Sequence, residues 1–178
     1  DFQAWASLRE QSRQFLAPWE PLWPKNDLTR SAFRARLRRY WLEQSEDRTY
    51  PFFIVRTEDE ALVGGLTFTN VRRGVANAAT LGYWMGVPFA GQGYMSAAVR
   101  LVIPYLFGEL KLNRIEAACL PTNVASIRLL ERTRFQKEGL ARSYLCIAGK
   151  WQDHLLYATL ARDWLQPDAS LSVETRNV

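Results

Sequence analysis

The chain has two cysteines and a single histidine in 178 residues. Two isolated thiols, Cys119 and Cys146, and one imidazole, His154, cannot assemble the ligand set of a zinc site. Both cysteines fall in strand-like apolar stretches and read as buried thiols in a reducing compartment. A covalent route through cysteine needs a Cys–His pair in contact, which no spacing here suggests. No apolar run approaches the ~20 residues of a membrane span, and no signal-peptide pattern precedes Asp1. A soluble, cytoplasmic protein is expected.

Apolar residues make up 48% of the chain and include seven tryptophans, enough for one sizeable core without disulfides. One domain is expected over residues 1–165, with 166–178 as a flexible tail, because apolar periodicity stops after Trp164. Lys+Arg less Asp+Glu is 23 − 18 = +5, a moderate basic excess that favours polyanionic ligands. Many soluble domains carry as much, so neither direct nucleic-acid contact nor membrane contact is expected.

The stretch from Leu81 to Arg100, LGYWMGVPFAGQGYMSAAVR, organises the rest. An apolar run through Val87 suits a buried strand, Pro88 breaks it, and Gly91-Gln92-Gly93 turns the chain. Met95, Ala98, Val99, Val102, Ile103 and Leu106 then fall on one face of a helix. Glycines let the backbone approach a ligand, and the first N–H groups of a helix lack internal partners, so the turn suits phosphate. Three readings compete: a turn that binds nothing, a dinucleotide fold, and another phosphate loop. The dinucleotide fingerprint would put glycine at Ser96 and follow the first strand of a parallel sheet. Here the turn follows an antiparallel meander, Pro51–Arg56, Leu62–Thr69 and Asn77–Val87, which ranks that reading last.

The same stretch resembles the coenzyme-A pyrophosphate loop of the GNAT N-acetyltransferases, Gln/Arg-x-x-Gly-x-Gly/Ala, with the middle glycine at Gly93. Ala90 and Met95 depart from its ends. FLAPWEP from Phe15, the Asn70–Gly74 turn, Leu81–Trp84, the Pro121–Phe135 segment and YLCIAGKWQDH ending at His154 resemble the RimJ-like branch, which acetylates a ribosomal protein's N-terminal alanine. The resemblance implies an α/β GNAT fold with a central mixed, largely antiparallel, splayed sheet flanked by helices. The family's first strand has no counterpart ahead of the helix that Asp1 caps. It implies acetyl-CoA as donor, direct transfer to a protein N-terminal α-amine, possible ribosomal proximity, and a monomer or homodimer. A small amine as acceptor, or a non-catalytic acyl-CoA-binding module, are the rival readings.

Elsewhere, Phe15–Pro24 is too rich in proline for helix and reads as an ordered loop. Thr29 or Ser31 caps a helix with Phe33, Leu37, Tyr40 and Trp41 inward and Arg34, Arg36, Arg38 and Arg39 outward as a solvated face. Pro104 removes one backbone donor and should kink the loop helix or interrupt its regular hydrogen bonding near Val102 or Ile103, and Gly108 should stop it. The strand Arg114–Leu120 reads as covered on both faces, Asn123 caps the next helix, and a hairpin turns at Ala148-Gly149.

By the resemblance, the cofactor lies against Trp84, Met85, Gly86 and Val87, the loop residues Gly91, Gln92, Gly93, Tyr94, Met95 and Ser96, and Asn123. The notch between the strands through Met85 and Ala118 would admit the pantetheine arm. Ser126 is the candidate proton donor to the thiolate, and otherwise an ordinary first-turn hydroxyl. The base is open between Glu20, set among aromatics, Glu116, which could equally pair with Arg114 or Arg132, and a water chain. His154 is expected to lock the hairpin by bonding Asp153 or a neighbouring strand.

Overall fold

A computed structural model describes residues 1–165; the expected tail, 166–178, lies outside the described residues. The chain opens with helix α1 (Phe2–Gln11) and a short α2 (Arg13–Leu16), then a 3-10 turn over Ala17–Trp19 inside the proline-rich loop. Helix α3 (Arg30–Ser45) starts where Thr29 Oγ1 accepts the Ala32 N–H at 3.2 Å. Strands β1 (Tyr50–Val55), β2 (Leu62–Arg72) and β3 (Ala78–Met85) form the expected meander. Helix α4 (Tyr94–Gly108), strand β4 (Arg114–Cys119), helix α5 (Val124–Arg132), the hairpin β5 (Gln136–Ile147) and β6 (Lys150–Leu160), and a final turn α6 (Arg162–Leu165) complete it.

The strands make one mixed sheet in the order β1-β2-β3-β4-β6-β5, with only β3 and β4 parallel. Alternation along the strands puts Leu66, Phe68, Ala79, Leu81, Ile115, Ala117 and Tyr157 on one face. There they bury against Val99, Ile103 and Leu106 of α4 and Leu130 of α5. The other face carries α1 and α3 over β1 and β2.

Helix α4 runs past Pro104, which lies on its exposed side, and ends at Gly108 as expected. Three expectations fail for identifiable reasons. β4 is buried only at alternate residues, since the face bearing Glu116 has no helix over it. Cys146 is exposed, because β5 is the edge strand. In α3, Trp41 and Leu37 point outward at 71% and 44% exposure, while Arg36 turns inward over the Trp5 ring at 4.8 Å and pairs with Asp27 at 2.7 Å. A guanidinium stem covers the core where an apolar side chain was expected.

Candidate functional site

β3 and β4 pair for only four steps, from Ala78↔Arg114 to Leu81↔Ala117. Beyond that point β3 keeps β2 as far as Met85↔Gly64, and β4 keeps β6 as far as Cys119↔Leu155. Each strand holds its outer neighbour while the two part from each other, which makes the notch. Strand amides alternate in direction, and the Gly86 N–H donates to the Val63 carbonyl at 2.8 Å. Tyr83 and Met85 therefore turn their N–H groups into the notch, whereas Trp84 gives its backbone to β2.

The glycine loop opens onto the same end. Gly91 and Gly93 have φ of +74° and +88°, which side chains rarely adopt, and a Cβ on either would meet nothing within 4 Å. Gly93 caps α4 without a side chain, and the first internal bond is Ala97 N–H to the Gly93 carbonyl. The six N–H groups from Gly91 to Ser96 thus have no hydrogen-bond acceptor among the described residues. A run of free amides at a helix start, beside an open notch, has the geometry to hold an anion at the mouth of a slot.

The Acetyltransferase (GNAT) domain family matches residues 1–136. The chain belongs to the GNAT acetyltransferases. It is 36% identical to the probable N-acetyltransferase YjcK of Bacillus subtilis over 88% of this chain and 86% of that one. It is 35% identical to the ribosomal protein uS5-alanine N-acetyltransferase of Escherichia coli, over 92% of this chain and 86% of the other. Among solved structures, RimJ of Mycobacterium smegmatis in complex with CoA-disulfide superposes with a TM-score of 0.88 at 33% identity, covering 93% of this chain and 80% of that one.

Within this GNAT fold, Asn123 and Ser126 sit beside the notch. Asn123 Oδ1 accepts the Ser126 N–H at 3.0 Å and so caps α5. Ser126 is nearly buried and lies near the Tyr83 phenol. Burial is the main reason that phenol stays protonated far above its ordinary range, with Ser126 opposing the shift. Tyr83 was not singled out from the sequence. Its parity with Met85 along β3 was the available signal.

The carboxylates lie apart. Glu20 accepts from Arg9 Nη1 and Nη2 at 2.7 and 2.8 Å and from Trp23 Nε1 at 2.6 Å. The Arg9 guanidinium lies 4.0 Å from the Trp23 ring centre and 5.1 Å from that of Trp84. The Glu20 carbonyl accepts the Ala148 N–H at 2.9 Å, so this loop bridges Trp84 on β3 to the β5–β6 turn. The side chain of Trp84 belongs to that bridge. Arg9, unnoticed in the sequence, stands with Trp5 and Leu8 on the apolar face of α1, a position for a cation only when something pairs it. Ser12, fully buried at the α1–α2 junction, accepts the Val87 N–H on Oγ at 2.9 Å. Leu8 packs so closely on Gly86 that a Cβ there would lie 2.5 Å from its Cδ1.

Glu116 pairs with Arg72 at 2.5 Å and Arg114 at 3.0 Å, on the sheet face away from α4. With Thr80 it floors a polar cleft of about 730 Å³ that Arg39, Glu43 and Tyr144 also line. Thr80↔Glu116 is the last but one register pair before the notch opens. His154 is buried with Nδ1 2.9 Å from the Gln152 carbonyl, and Asp153 accepts the Ser143 N–H instead, at 2.8 Å. Asp153 thus ties β6 to β5, whereas the His154 bond stays within β6 and its ring meets that of Tyr144 on β5 at 5.9 Å, so the hydrogen bond expected of His154 across the hairpin is not made. Among the described residues no cluster could hold a metal, and no helix is long and apolar enough to cross a membrane.

Proposed function

We propose that this chain transfers the acetyl group of acetyl-CoA directly to the α-amine of a protein N-terminus, with the alanine terminus of a ribosomal protein as the leading acceptor. The six unpartnered amides from Gly91 to Ser96 beside the β3–β4 notch carry the reading. They fit a pyrophosphate, and the notch fits an extended arm that bonds to strand edges. The name of the Escherichia coli relative supports the acceptor class, and the Mycobacterium smegmatis structure, solved with CoA-disulfide, supports the cofactor.

Transfer requires the chain to hold the amine against the thioester, release a proton and stabilise developing charge. In this reading the Met85 N–H donates to the carbonyl oxygen, because the Gly86 and Val87 amides are already engaged, with Val63 and Ser12. The Ser126 hydroxyl gives the leaving sulfur its proton and regains one from water, its place in the first turn of α5 fixed by the Asn123 cap on the Ser126 backbone N–H. An α-amine with a pKa near ~8 is partly neutral at pH 7, so a strong base is not needed. We assign Glu20 and Glu116 to their ion pairs and let the amine proton pass to water in the polar cleft. Two free cysteines support a cytoplasmic setting.

The test is thiol release from acetyl-CoA with peptides beginning in alanine, compared with free amino acids and polyamines. Turnover on the peptides, falling at least about 10-fold in Ser126→Ala, is expected. Turnover on small amines alone would overturn the acceptor. Binding of coenzyme A without turnover on any amine would leave an acyl-CoA-binding module.

A further inference from the structure

Helix α3 holds five arginines within ten residues, Arg30, Arg34, Arg36, Arg38 and Arg39, a number equal to the whole chain's net charge of +5. They divide by what they meet. Arg36 is spent on Asp27 and Trp5, and Arg39 approaches Glu43 at 3.7 Å on the side facing the polar cleft. Arg34 and Arg38 are exposed and form no ion pair or hydrogen bond with any described residue. Arg30 is exposed too, with only the Phe2 ring beneath its guanidinium at 5.1 Å.

At 100° per residue, Arg30, Arg34, Arg38 and Trp41 fall in one outward stripe. Successive arginines are one turn apart, about 6 Å, so the three span about 12 Å, over which a nucleic-acid duplex carries roughly seven phosphate charges. The helix itself puts no acid in the stripe, since Glu43 lies toward the cleft and Glu46 beyond the helix end pairs with Arg48; from outside the helix, Asp1 and Glu60 line the hollow that Arg30 and Arg34 border, without pairing either. Trp41 adds an aromatic plane, 71% exposed, beside Arg38. α3 buries Phe33 inside the protein, and its outer face interleaves the arginines with Trp41 and the part-exposed Leu37 (44%) and Leu42 (47%), whereas an interfacial membrane helix would segregate its apolar and charged faces.

We propose that the outer face of α3 is a docking surface for RNA, its arginines on the phosphate backbone and Trp41 on an unstacked base next to it. The solvated-face reading of this helix placed Trp41 inside, and the outward ring is what adds a base-stacking element to bare charge. This surface is independent of the acetyl-transfer reading, and its test uses no acetyl-CoA, so either can fail alone.

The experiment is a fluorescence-anisotropy titration of a labelled 20-base-pair RNA duplex with a single-stranded overhang, between 50 and 200 mM salt. Proteins compared are wild type, Arg34→Gln/Arg38→Gln, Trp41→Ala, and Arg142→Gln/Lys150→Gln, which makes the same charge change on the exposed β5–β6 hairpin. Melting curves confirm that each variant is folded. The expected result is RNA binding whose log–log salt slope drops by about 2 in the α3 double variant, with affinity falling at least 10-fold at low salt. Trp41→Ala should weaken binding to the overhang substrate and leave the blunt duplex nearly unchanged. The hairpin variant should bind like wild type. Equal losses in both double variants would reduce the effect to net charge and overturn the proposal. So would no binding at 50 mM salt, or uptake by vesicles of anionic phospholipid in place of RNA.

Discussion

Glu20→Gln separates a structural carboxylate from a catalytic one. In the wild type, Glu20 takes two hydrogen bonds from a guanidinium that is only 7% exposed, and one from Trp23. Arg9 Nε is buried with no partner, so Glu20 provides all the hydrogen-bond compensation that this cation has among the described residues. Glutamine keeps the acceptor for Trp23 but sets an amide donor against an Arg9 donor and removes the countercharge. Breaking a fully buried pair costs about 3–5 kcal/mol; with the Glu20 side chain 19% exposed, about 2 kcal/mol is the working figure. For a domain of this size that lowers Tm by about 4–8 °C. Removing the stranded cation as well, in Arg9→Met/Glu20→Gln, should recover part of the loss, so the two substitutions are non-additive. The assay is thermal melting alongside turnover. A Glu20→Gln protein that melts like wild type yet loses turnover would refute the clamp and return Glu20 to proton transfer.

Three further outcomes follow from other contacts. Gly93→Ala forces a side chain to φ of +88° in open space, so it should cost about 1–2 kcal/mol without a clash and weaken coenzyme A binding, measured by melting and calorimetry. Ser12→Ala strands the Val87 N–H and should lower stability by about 1–3 kcal/mol in denaturant titration; an unchanged midpoint would show that the amide finds water. Burial pushes the Cys119 thiol up to about 11, so thiol labelling near pH 8 should modify Cys146 alone. Because the folded pKa lies above the unfolded one, Cys119 contributes stability below the unfolded thiol's pKa, about 8.5, and loses it as pH rises toward 11. Rapid labelling of two thiols in the folded protein would contradict the burial.

Local signals were legible in the sequence where a residue's chemistry determines its neighbourhood. Gly93 at the turn, Thr29 and Asn123 as caps, and Ala148-Gly149 between two strands act within four residues, and each element starts or turns there. The meander's order separated this sheet from a dinucleotide fold for the same reason. Apolar character alone misled at Trp41 and Cys146, since it cannot say whether a strand is an edge or whether an arginine stem covers the core instead. The site's pairings were the least legible. Arg9 meets Glu20 across a loop, Ser12 reaches Val87 across 75 residues, and Tyr83 lies near Ser126 only because α5 packs beside the notch. An arginine on the apolar face of α1 was the one sequence mark of the first of these.

The central claim is that the amides of residues 91–96 grip a pyrophosphate at the mouth of the β3–β4 notch. Calorimetric titration of the wild-type chain with coenzyme A and with pantetheine, which has the same thiol arm and no phosphate, tests it most directly. Two or more charge-assisted hydrogen bonds predict that coenzyme A binds on the order of 100-fold more tightly, an advantage that shrinks in Gly93→Ala. Equal affinity for the two, or no detectable uptake of coenzyme A, would contradict the account.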